Sequence, residues 1–465
     1  MAAWLIAYMM APHQIQGTTR TMLSLDNFDS YSDFVGFIET VADSYRGGSS
    51  QEELAKRPTI ETLLNGANAK AVSHFLDSAH RKHNGIFFTG EALANKVAQR
   101  IKPEIMAGKS IYDPACGSGD LLLACTQYLP IQTTLAKTLK QWSQVLLGTD
   151  LFEDFIRSAK SRLLLAAIYR SGFPYHRSQV NSPERFEQLQ TRDFFAATSL
   201  LDRAECIVTN PPYGHIDLTD QVAWKKGKGQ LAALFIDRII QHTKNKTRVV
   251  AILPDVLRSG SGYKKWRRMV NQHASSLSVE LCGRFDSEAD VDVFILDFVV
   301  TKNNCDDSKD SFEQLAEAST TLQDYFSVAV GPVVPHRATH QGPWVRYADT
   351  RNTALWQASS PEKSIRFKGT LFSPPFVVVR RTSSPNDKIR LNAAIIQGDK
   401  PVAVENHLIV IKPLDNNLRG CRQFLQFAQS NLANNWVNQR IRCRHLTVGT
   451  IRHLPWPQSM EPDNV

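Results

Sequence analysis

The 465-residue chain predicts an α/β fold in which helices cover both faces of a mostly parallel sheet. From about residue 81 to 302, short apolar runs alternate with stretches of helical spacing, as in repeated βα units. Two loops in this part directly follow an apolar run: residues 113–119 follow Ser110–Tyr112, and residues 210–213 follow Cys206–Thr209. Loops that follow parallel strands lie at the carboxyl edge of the sheet, where open sheets bind their ligands.

Residues 1–80 are predicted to form a helical N-terminal region that packs against the sheet. The apolar residues at the spacing of one helix face are Phe34, Phe37, Ile38 and Val41. The first ten residues are apolar but lack a basic leader, which is untypical of a signal peptide. Residues 1–21 are therefore expected to be a disordered extension, or to precede a translation start at Met22 instead of Met1. No run of 18 apolar residues occurs, so no membrane span is expected.

The second half of the chain changes its pattern after a polar stretch. Residues 249–254 and 293–300 are predicted to be late strands of the sheet, and residues 303–320 a linker. Residues 321–465 then show short strands and turns, which predicts a separate mixed α+β region. Its expected elements are strands at 328–332, 376–381 and 403–411 and a helix from Cys421 to Gln439.

Charge is distributed unevenly along the chain. Residues 331–465 contain 18 Lys and Arg against 8 Asp and Glu, whereas the whole chain has a net charge of +9, so the rest is close to neutral. This asymmetry predicts a polyanionic partner for the C-terminal region, and a basic surface that binds nothing is the alternative. The seven cysteines form no Cys-x-x-Cys pair, which favours a reducing, cytoplasmic setting and indicates no structural metal site.

The segment Asn210-Pro211-Pro212-Tyr213 is suited to holding a planar amino group. The Asn210 side-chain oxygen and the Pro211 carbonyl are two acceptors, which match the two N–H donors of an exocyclic amine. The two prolines fix the backbone and remove competing donors, and the Tyr213 ring offers a surface on which a base can stack. An ordinary turn is the alternative for these four residues, because Asn-Pro also initiates turns.

Acidic residues at the predicted strand ends indicate a cofactor that contains a nucleoside. Asp150 ends the apolar run 145–149 and can accept from both hydroxyls of a ribose, while Asp193 can accept from an adenine amine that Phe194 covers. A helix cap or a turn is the alternative for each acid. The intervals of 37 and 43 residues that separate Asp113, Asp150 and Asp193 exceed the usual ~20, so longer helices or insertions are expected there.

With these residues together, the chain resembles the S-adenosylmethionine-dependent N6-adenine DNA methyltransferases of the gamma class, found in type I and type II restriction-modification systems. The resemblance implies a Rossmann-like class I methyltransferase domain over residues 81–302 and S-adenosylmethionine as cofactor. The cofactor residues it implies are Phe88 and Thr89, Asp113, Cys116, Gly117 and Gly119, Asp150, and Asp193 with Phe194. The target adenine is assigned to Asn210, Pro211, Pro212 and Tyr213, with Phe285 as a second stacking ring.

The C-terminal region resembles the target-recognition domains fused to many enzymes of this class. This implies double-stranded DNA as partner, and the implied DNA contacts are Arg380, Arg381, Arg440, Arg442 and Arg444. The run 224–229 is expected to be a flexible cationic loop whose Lys225, Lys226 and Lys228 approach the DNA backbone. A solvated loop is its alternative.

The expected function is direct methyl transfer to adenine N6 of a base turned out of double-stranded DNA, within a restriction-modification or related defence system. Methyl transfer to RNA or to a protein glutamine amide, and a non-catalytic DNA-binding subunit, are the alternatives. No nuclease-type acidic segment is found in the N-terminal region, so a cognate restriction endonuclease is expected to be a separate protein. The oligomeric state is not predicted.

Overall fold

The structure is a computed structural model of the chain. It describes residues 23–44, 58–77, 81, 89–171, 186–196, 198–219, 221–285, 291–302, 312, 320–335, 341–457 and 460.

A seven-stranded sheet forms the centre of the first three hundred residues. The strands of this part are β1 (Ile111–Asp113), β2 (Leu146–Asp150), β3 (Leu189–Thr191), β4 (Cys206–Thr209), β5 (His215–Asp217), β6 (Lys228–Gln230), β7 (Arg248–Pro254), β8 (Ala274–Arg284) and β9 (Asp292–Val300). The sheet order is β3-β2-β1-β4-β7-β9-β8, and β5 and β6 form a separate hairpin. Pairing is parallel from β3 to β7 and antiparallel at β9 and β8. The predicted α/β fold is confirmed.

Helices connect and cover these strands. They are α1 (Tyr31–Ser44), α2 (Ala67–Phe75), α3 (Glu91–Arg100), α4 (Lys102–Met106), α5 (Asp120–Thr126), α6 (Leu135–Val145), α7 (Glu153–Ser171), α8 (Leu231–His242), α9 (Asp255–Ser259) and α10 (Lys264–Gln272). The long interval from Asp113 to Asp150 holds two helices, α5 and α6, and the next interval holds the 19-residue α7. Longer helical connections therefore explain the spacing, as the sequence predicts.

The N-terminal helices are tied to the sheet unit by buried polar groups. The guanidinium of Arg162 on α7 is 2% exposed and donates to the carbonyls of Leu63, Leu64 and Ser118 and to the Asp120 carboxylate at 2.7–3.2 Å. One side chain thus joins the helical stretch at 58–64 to the loop between β1 and α5. Apolar contacts reinforce this junction, because Phe34 and Ile38 of α1 are fully buried.

The described part of the C-terminal region consists of short strands and three α-helices. The elements are β10 (Phe326–Val330), β11 (Trp344–Ala348), β12 (Ala358–Ser359), β13 (Ser364–Arg366), β14 (Phe376–Arg380), β15 (Ala393–Ile396), β16 (Val402–Val404), β17 (Leu408–Pro413), α11 (Leu418–Ala428), α12 (Asn431–Arg440) and α13 (Val448–Arg452). A five-stranded sheet has the order β10-β17-β14-β15-β12, and a three-stranded sheet has the order β13-β11-β16. The predicted mixed α+β character is present.

Two details of the sequence prediction are wrong. The strand expected at 403–411 is two strands in different sheets, because the chain turns at Glu405–His407 between β16 and β17. The single helix expected from Cys421 to Gln439 is also two, since the Ser430 hydroxyl accepts from the Ala433 N–H and starts α12. Of the linker predicted at 303–320, the structure describes Phe312 and Thr320. Phe312 is 2% exposed and packs on Trp266 and Phe294, and the Thr320 carbonyl accepts from the Trp456 N–H at 3.1 Å.

Direct hydrogen bonds connect the C-terminal region to the sheet unit. The backbone N–H of Arg442 donates to Asp255 Oδ2 at 2.9 Å, and its Nε donates to Asp292 Oδ1 at 2.7 Å. Asp255 is itself 2% exposed and also accepts from Arg258 Nε and the Ser259 hydroxyl. The Asp255 carboxylate is therefore a shared acceptor at the junction of the two parts. Within the described part of the chain, no helix is long and apolar enough to cross a membrane.

Replacing the buried Arg162 is expected to destabilise the fold strongly. Arg162→Ala leaves Asp120 and three carbonyls without their donor, which costs about 3 kcal/mol of unfolding free energy. Urea unfolding followed by circular dichroism measures the change. Arg157→Ala is the matched control on the same helix, because its partners Glu39 and Asp154 are about one-third exposed and such pairs contribute about 0.5 kcal/mol. Equal losses for the two variants contradict the role of Arg162.

Candidate active site

Both predicted loops open into one cavity at the carboxyl edge of the sheet. The lining includes Thr89, Asp113, Cys116, Gly117, Asp150, Asp193, Phe194, Asn210 and Pro212. These residues come from the ends of β1, β2, β3 and β4 and from the start of α3, so positions far apart in the sequence meet in space. The structure thus brings together most of the residues that the sequence places in a cofactor and substrate site.

The Asn210 amide is held by two hydroxyl groups. Its Nδ2 donates to Thr89 Oγ1 at 3.1 Å, and its Oδ1 accepts from the Tyr213 hydroxyl at 2.7 Å. Thr89 is 7% exposed and Tyr213 is 8% exposed, so both hydroxyls act from protected positions. With a donor on one side and an acceptor on the other, the carboxamide has a defined orientation.

The rings of Tyr213 and Phe285 belong to one aromatic cluster but are not parallel. Their centroids lie 6.0 Å apart and their planes meet at 79°, which is an edge-to-face contact. A base can stack between the two rings only after one of them turns. Phe285 is held near β9 by a bond from its N–H to the Val291 carbonyl.

The loop between β1 and α5 depends on close backbone approaches. Gly119 has φ +85°, which strains any other residue, and a Cβ there would make a tight contact of 3.1 Å with the Ala159 Cβ. Gly148 on β2 permits the approach of Cys116, whose Sγ lies 3.0 Å from the position of an added Cβ. The Gly117 N–H donates to Asp150 Oδ2 at 2.9 Å, which joins the loop to the end of the neighbouring strand.

Burial sets the protonation of the cavity's acidic groups. Asp113 is 1% exposed, and this desolvation raises the pKa of its carboxyl well above the usual range, with a further rise from the Asp150 charge. Burial raises the pKa of Asp150 too, against the opposing effect of the Phe152 and Gly117 N–H groups. The pKa of the Cys116 thiol is also raised well above its usual range by burial, so this thiol stays protonated and is a poor nucleophile.

Asp193 and Phe194 lie at the wall of the cavity next to β3. Asp193 Oδ1 accepts from the Phe195 N–H at 3.0 Å, so this carboxylate also stabilises the turn that follows it. The Phe194 ring stacks on Phe235 with a centroid distance of 4.5 Å and an angle of 17°. One face of Phe194 is therefore already covered by an aromatic ring of α8.

Sequence reasoning missed the apolar part of the cavity. Leu151 and Phe152, which follow Asp150, are 64% and 37% exposed and line it together with Phe155 and Phe235. Two apolar residues directly after an acid at a predicted strand end were the available signal. Phe235 had no such signal, because it lies on α8 among other core residues of that helix.

Several predicted residues lie elsewhere. Phe88 is outside the described residues. Among the described residues, Gly119, Pro211, Tyr213 and Phe285 flank the cavity without lining it.

The cationic run 224–229 is less free than expected. Trp224 is buried, and Lys225 Nζ lies 4.6 Å from the Tyr263 ring centroid. Lys226 and Lys228 are exposed, and Lys228 belongs to the hairpin strand β6.

The C-terminal arginines differ in their surroundings. Arg442 pairs with Asp292, so in this structure it contributes to the contact between the two parts of the chain. Arg380 donates to the Thr350 carbonyl at 3.3 Å, and the guanidinium of Arg440 lies over the Trp436 ring. Arg381 is half-buried and Arg444 is exposed. The prediction of DNA contacts therefore depends mainly on the arginines other than Arg442.

Comparison with known proteins agrees with this geometry. Residues 72–321 match the N-6 DNA Methylase family. The chain belongs to this family. Over 186 residues it is 26% identical to the Escherichia coli type I restriction enzyme EcoEI methylase subunit. The aligned segment covers 39% of this chain and 34% of that protein. The chain thus matches about a third of the length of this curated relative.

A solved structure resembles a larger part of this N-6 DNA methylase chain. It is the type IIL restriction-modification enzyme MmeI in complex with DNA, with a TM-score of 0.55, 12% identity, and coverage of 85% of this chain and 71% of that one. A share of 85% exceeds what residues 1–321 can supply, so the likeness in fold includes part of the C-terminal region. The class I methyltransferase fold with an added strand-rich domain is confirmed.

The residues present fit S-adenosylmethionine, the cofactor of the family. Two carboxylates at the ends of β2 and β3 suit its hydroxyl and amine donors, and the rings of Phe152, Phe194 and Phe235 provide an apolar wall for a flat base. Among the described residues no group of His, Cys, Asp and Glu is arranged to hold a metal ion.

Replacing Asp113 is expected to raise stability and to weaken cofactor binding. Its folded-state pKa is raised, so ionisation opposes folding at neutral pH, and this cost disappears as the pH falls towards the unfolded pKa. Asp113→Asn keeps the acceptor for the Ala115 N–H and removes the charge. We expect a higher melting temperature than the native chain at pH 7.5, a difference that shrinks towards about pH 4, and at least a ~10-fold weaker affinity for S-adenosylmethionine. Differential scanning fluorimetry and calorimetric titration measure the two; a melting temperature lowered at pH 7.5 contradicts the assignment.

Proposed function

We propose that this chain transfers the methyl group of S-adenosylmethionine to N6 of an adenine turned out of double-stranded DNA. The observation that carries the proposal is the single cavity shared by Asn210 and Pro212 with Asp113, Asp150 and Asp193. A site that binds an amine needs to adjoin a site that binds a nucleoside only if a group is transferred from one ligand to the other. The family match supports the same substrate class.

The chain's own residues act by binding and orienting the amine. When bound, the cofactor supplies an electrophilic methyl group on a sulfonium. The Asn210 oxygen and the Pro211 carbonyl accept the two amine hydrogens, which disfavours delocalisation of the nitrogen lone pair into the adenine ring. The Thr89 and Tyr213 hydroxyls keep the Asn210 amide in place. Positioning of this kind needs neither a covalent intermediate nor a titrating base.

The DNA is proposed to contact both parts of the chain. Exposed Lys226 and Lys228 follow the Asn-Pro-Pro-Tyr segment, and exposed Arg444 with the other C-terminal arginines belongs to the region that carries the basic excess. We assign catalysis to residues 81–302 and target recognition to residues 321–465. The setting we propose is a cytoplasmic restriction-modification system in which any cognate endonuclease is a separate protein.

Removing the Asn210 amide is expected to abolish transfer without removing the cofactor. Asn210→Ala loses one amine acceptor, so methyl transfer from radiolabelled cofactor to duplex DNA should fall about 10³-fold. Cofactor affinity, measured by calorimetry on the same preparation, should stay within about threefold of the native value because the change at Asn210 leaves the acids of β2 and β3 in place. Turnover close to the native rate in Asn210→Ala refutes the role.

The methylated substrate can be identified directly in cells. When the chain is expressed in a bacterial host free of DNA methylation, single-molecule sequencing of the host DNA should show N6-methyladenine in one defined sequence. The Asn210→Ala variant, expressed at the same level, should leave that sequence unmodified. An unmodified genome alongside labelled RNA or protein in the same cells assigns the activity to another substrate.

A further inference from the structure

A second cavity lies between the sheet unit and the C-terminal region. The basic residues that line it are Arg258, Lys264 and Arg267 from the first part and Arg440, Arg452 and His453 from the second. Among the described residues of the lining there is no carboxylate. The sequence places the net positive charge after residue 330, but here the segment 258–267 contributes to the same cationic surface.

Arg258 provides an unmet donor at this cavity. The residue is 8% exposed, and its Nε donates to Asp255 Oδ1 at 2.7 Å. Its Nη2 is buried and has no hydrogen-bond partner in the described part of the chain. A buried N–H group without an acceptor destabilises the fold, so a ligand oxygen that accepts from it is favoured.

Three neighbouring arginines are held in place by contacts with backbone carbonyls or an aromatic ring. Arg267 is 5% exposed and donates to the Leu257 and Gly260 carbonyls at 3.0 and 2.9 Å, which fixes the chain between α9 and α10. Arg452 donates to the Val328 carbonyl, and Arg440 lies over Trp436. Lys264 is exposed at the start of α10 and provides an ammonium group.

The chemistry of this lining selects one class of ligand. Several cations without a lining carboxylate exclude a metal ion and favour an anion with oxygens on more than one side. A phosphate group meets guanidinium and ammonium donors from different directions, and arginine matches it by paired N–H bonds. Since both parts of the chain supply donors, an occupied cavity stabilises one relative orientation of the two.

We propose that this interdomain cavity is a phosphate-binding site. The bound phosphate group belongs either to the DNA backbone or to a free phosphate. The first source rests on the proposed function, because it needs DNA as the partner. The second does not. In both cases the phosphate oxygens occupy the space between Arg258, Lys264 and the C-terminal arginines.

Lys264→Gln tests the site, with Lys265→Gln as its matched control. Both lysines are exposed neighbours on α10, and Lys264 lines the cavity whereas Lys265 is not among its lining residues. Binding of a short DNA duplex is measured between 50 and 300 mM salt by fluorescence anisotropy, and binding of inorganic phosphate by calorimetric titration. Equal melting temperatures of the three proteins verify that each is folded.

Each outcome decides between the sources. A slope of log affinity against log salt that is shallower by about 0.9 in Lys264→Gln, and unchanged in Lys265→Gln, assigns the cavity to a DNA phosphate. Unchanged slopes, with one bound phosphate per native chain and at least tenfold weaker phosphate binding only in Lys264→Gln, assign it to a free phosphate. If Lys264→Gln matches Lys265→Gln in both measurements, the proposal is wrong. A native chain that binds DNA with the steeper slope but transfers no methyl group refutes the proposed function and leaves the site standing.

Discussion

Parallel pairing of β2, β1 and β4 is the constraint on which the site depends. Because these strands run in the same direction, Asp150, Asp113 and Asn210 all emerge at one edge although nearly a hundred residues separate the last two. The hydrogen bond from the Gly117 N–H to Asp150 then joins the loop after β1 to the end of β2. No local feature of either loop can produce this arrangement. It follows from the register of the sheet.

The cost of the site is visible in its buried polar groups. Asp113 is held in a nearly water-free position that opposes its ionisation, and the loop beside it contains glycines that no other residue can replace without strain. Arg162 offsets part of this cost, because it fastens the loop through Ser118 and Asp120 to the N-terminal helices. The helical region before the sheet thus stabilises the loop between β1 and α5.

The sequence predicts what is local and apolar. Strands β1, β4 and β9 begin within one residue of their predicted positions, because each is a short apolar run bounded by polar residues. The same criterion fails at 403–411, where it predicts one strand. Only the three residues 405–407 interrupt the apolar run, and the chain turns at them. Asp150 is predicted from the apolar run that it ends, and Asp193 from its place in the order of the motifs. Phe235 and the pairing of Arg442 with Asp292 are not predictable in this way, since both depend on long-range packing.

The contact between Arg442 and the Asp255–Asp292 pair has a consequence for exchanging recognition units between related enzymes. A graft that joins a foreign C-terminal segment to this sheet unit inherits two carboxylates that were built for one particular arginine and its backbone N–H. Asp255 is almost fully enclosed, so a mismatched graft leaves this buried carboxylate with Arg258 and Ser259 but without the donor from residue 442. Chimeras should therefore preserve the segment around residue 442, even when the strands of the C-terminal region are replaced.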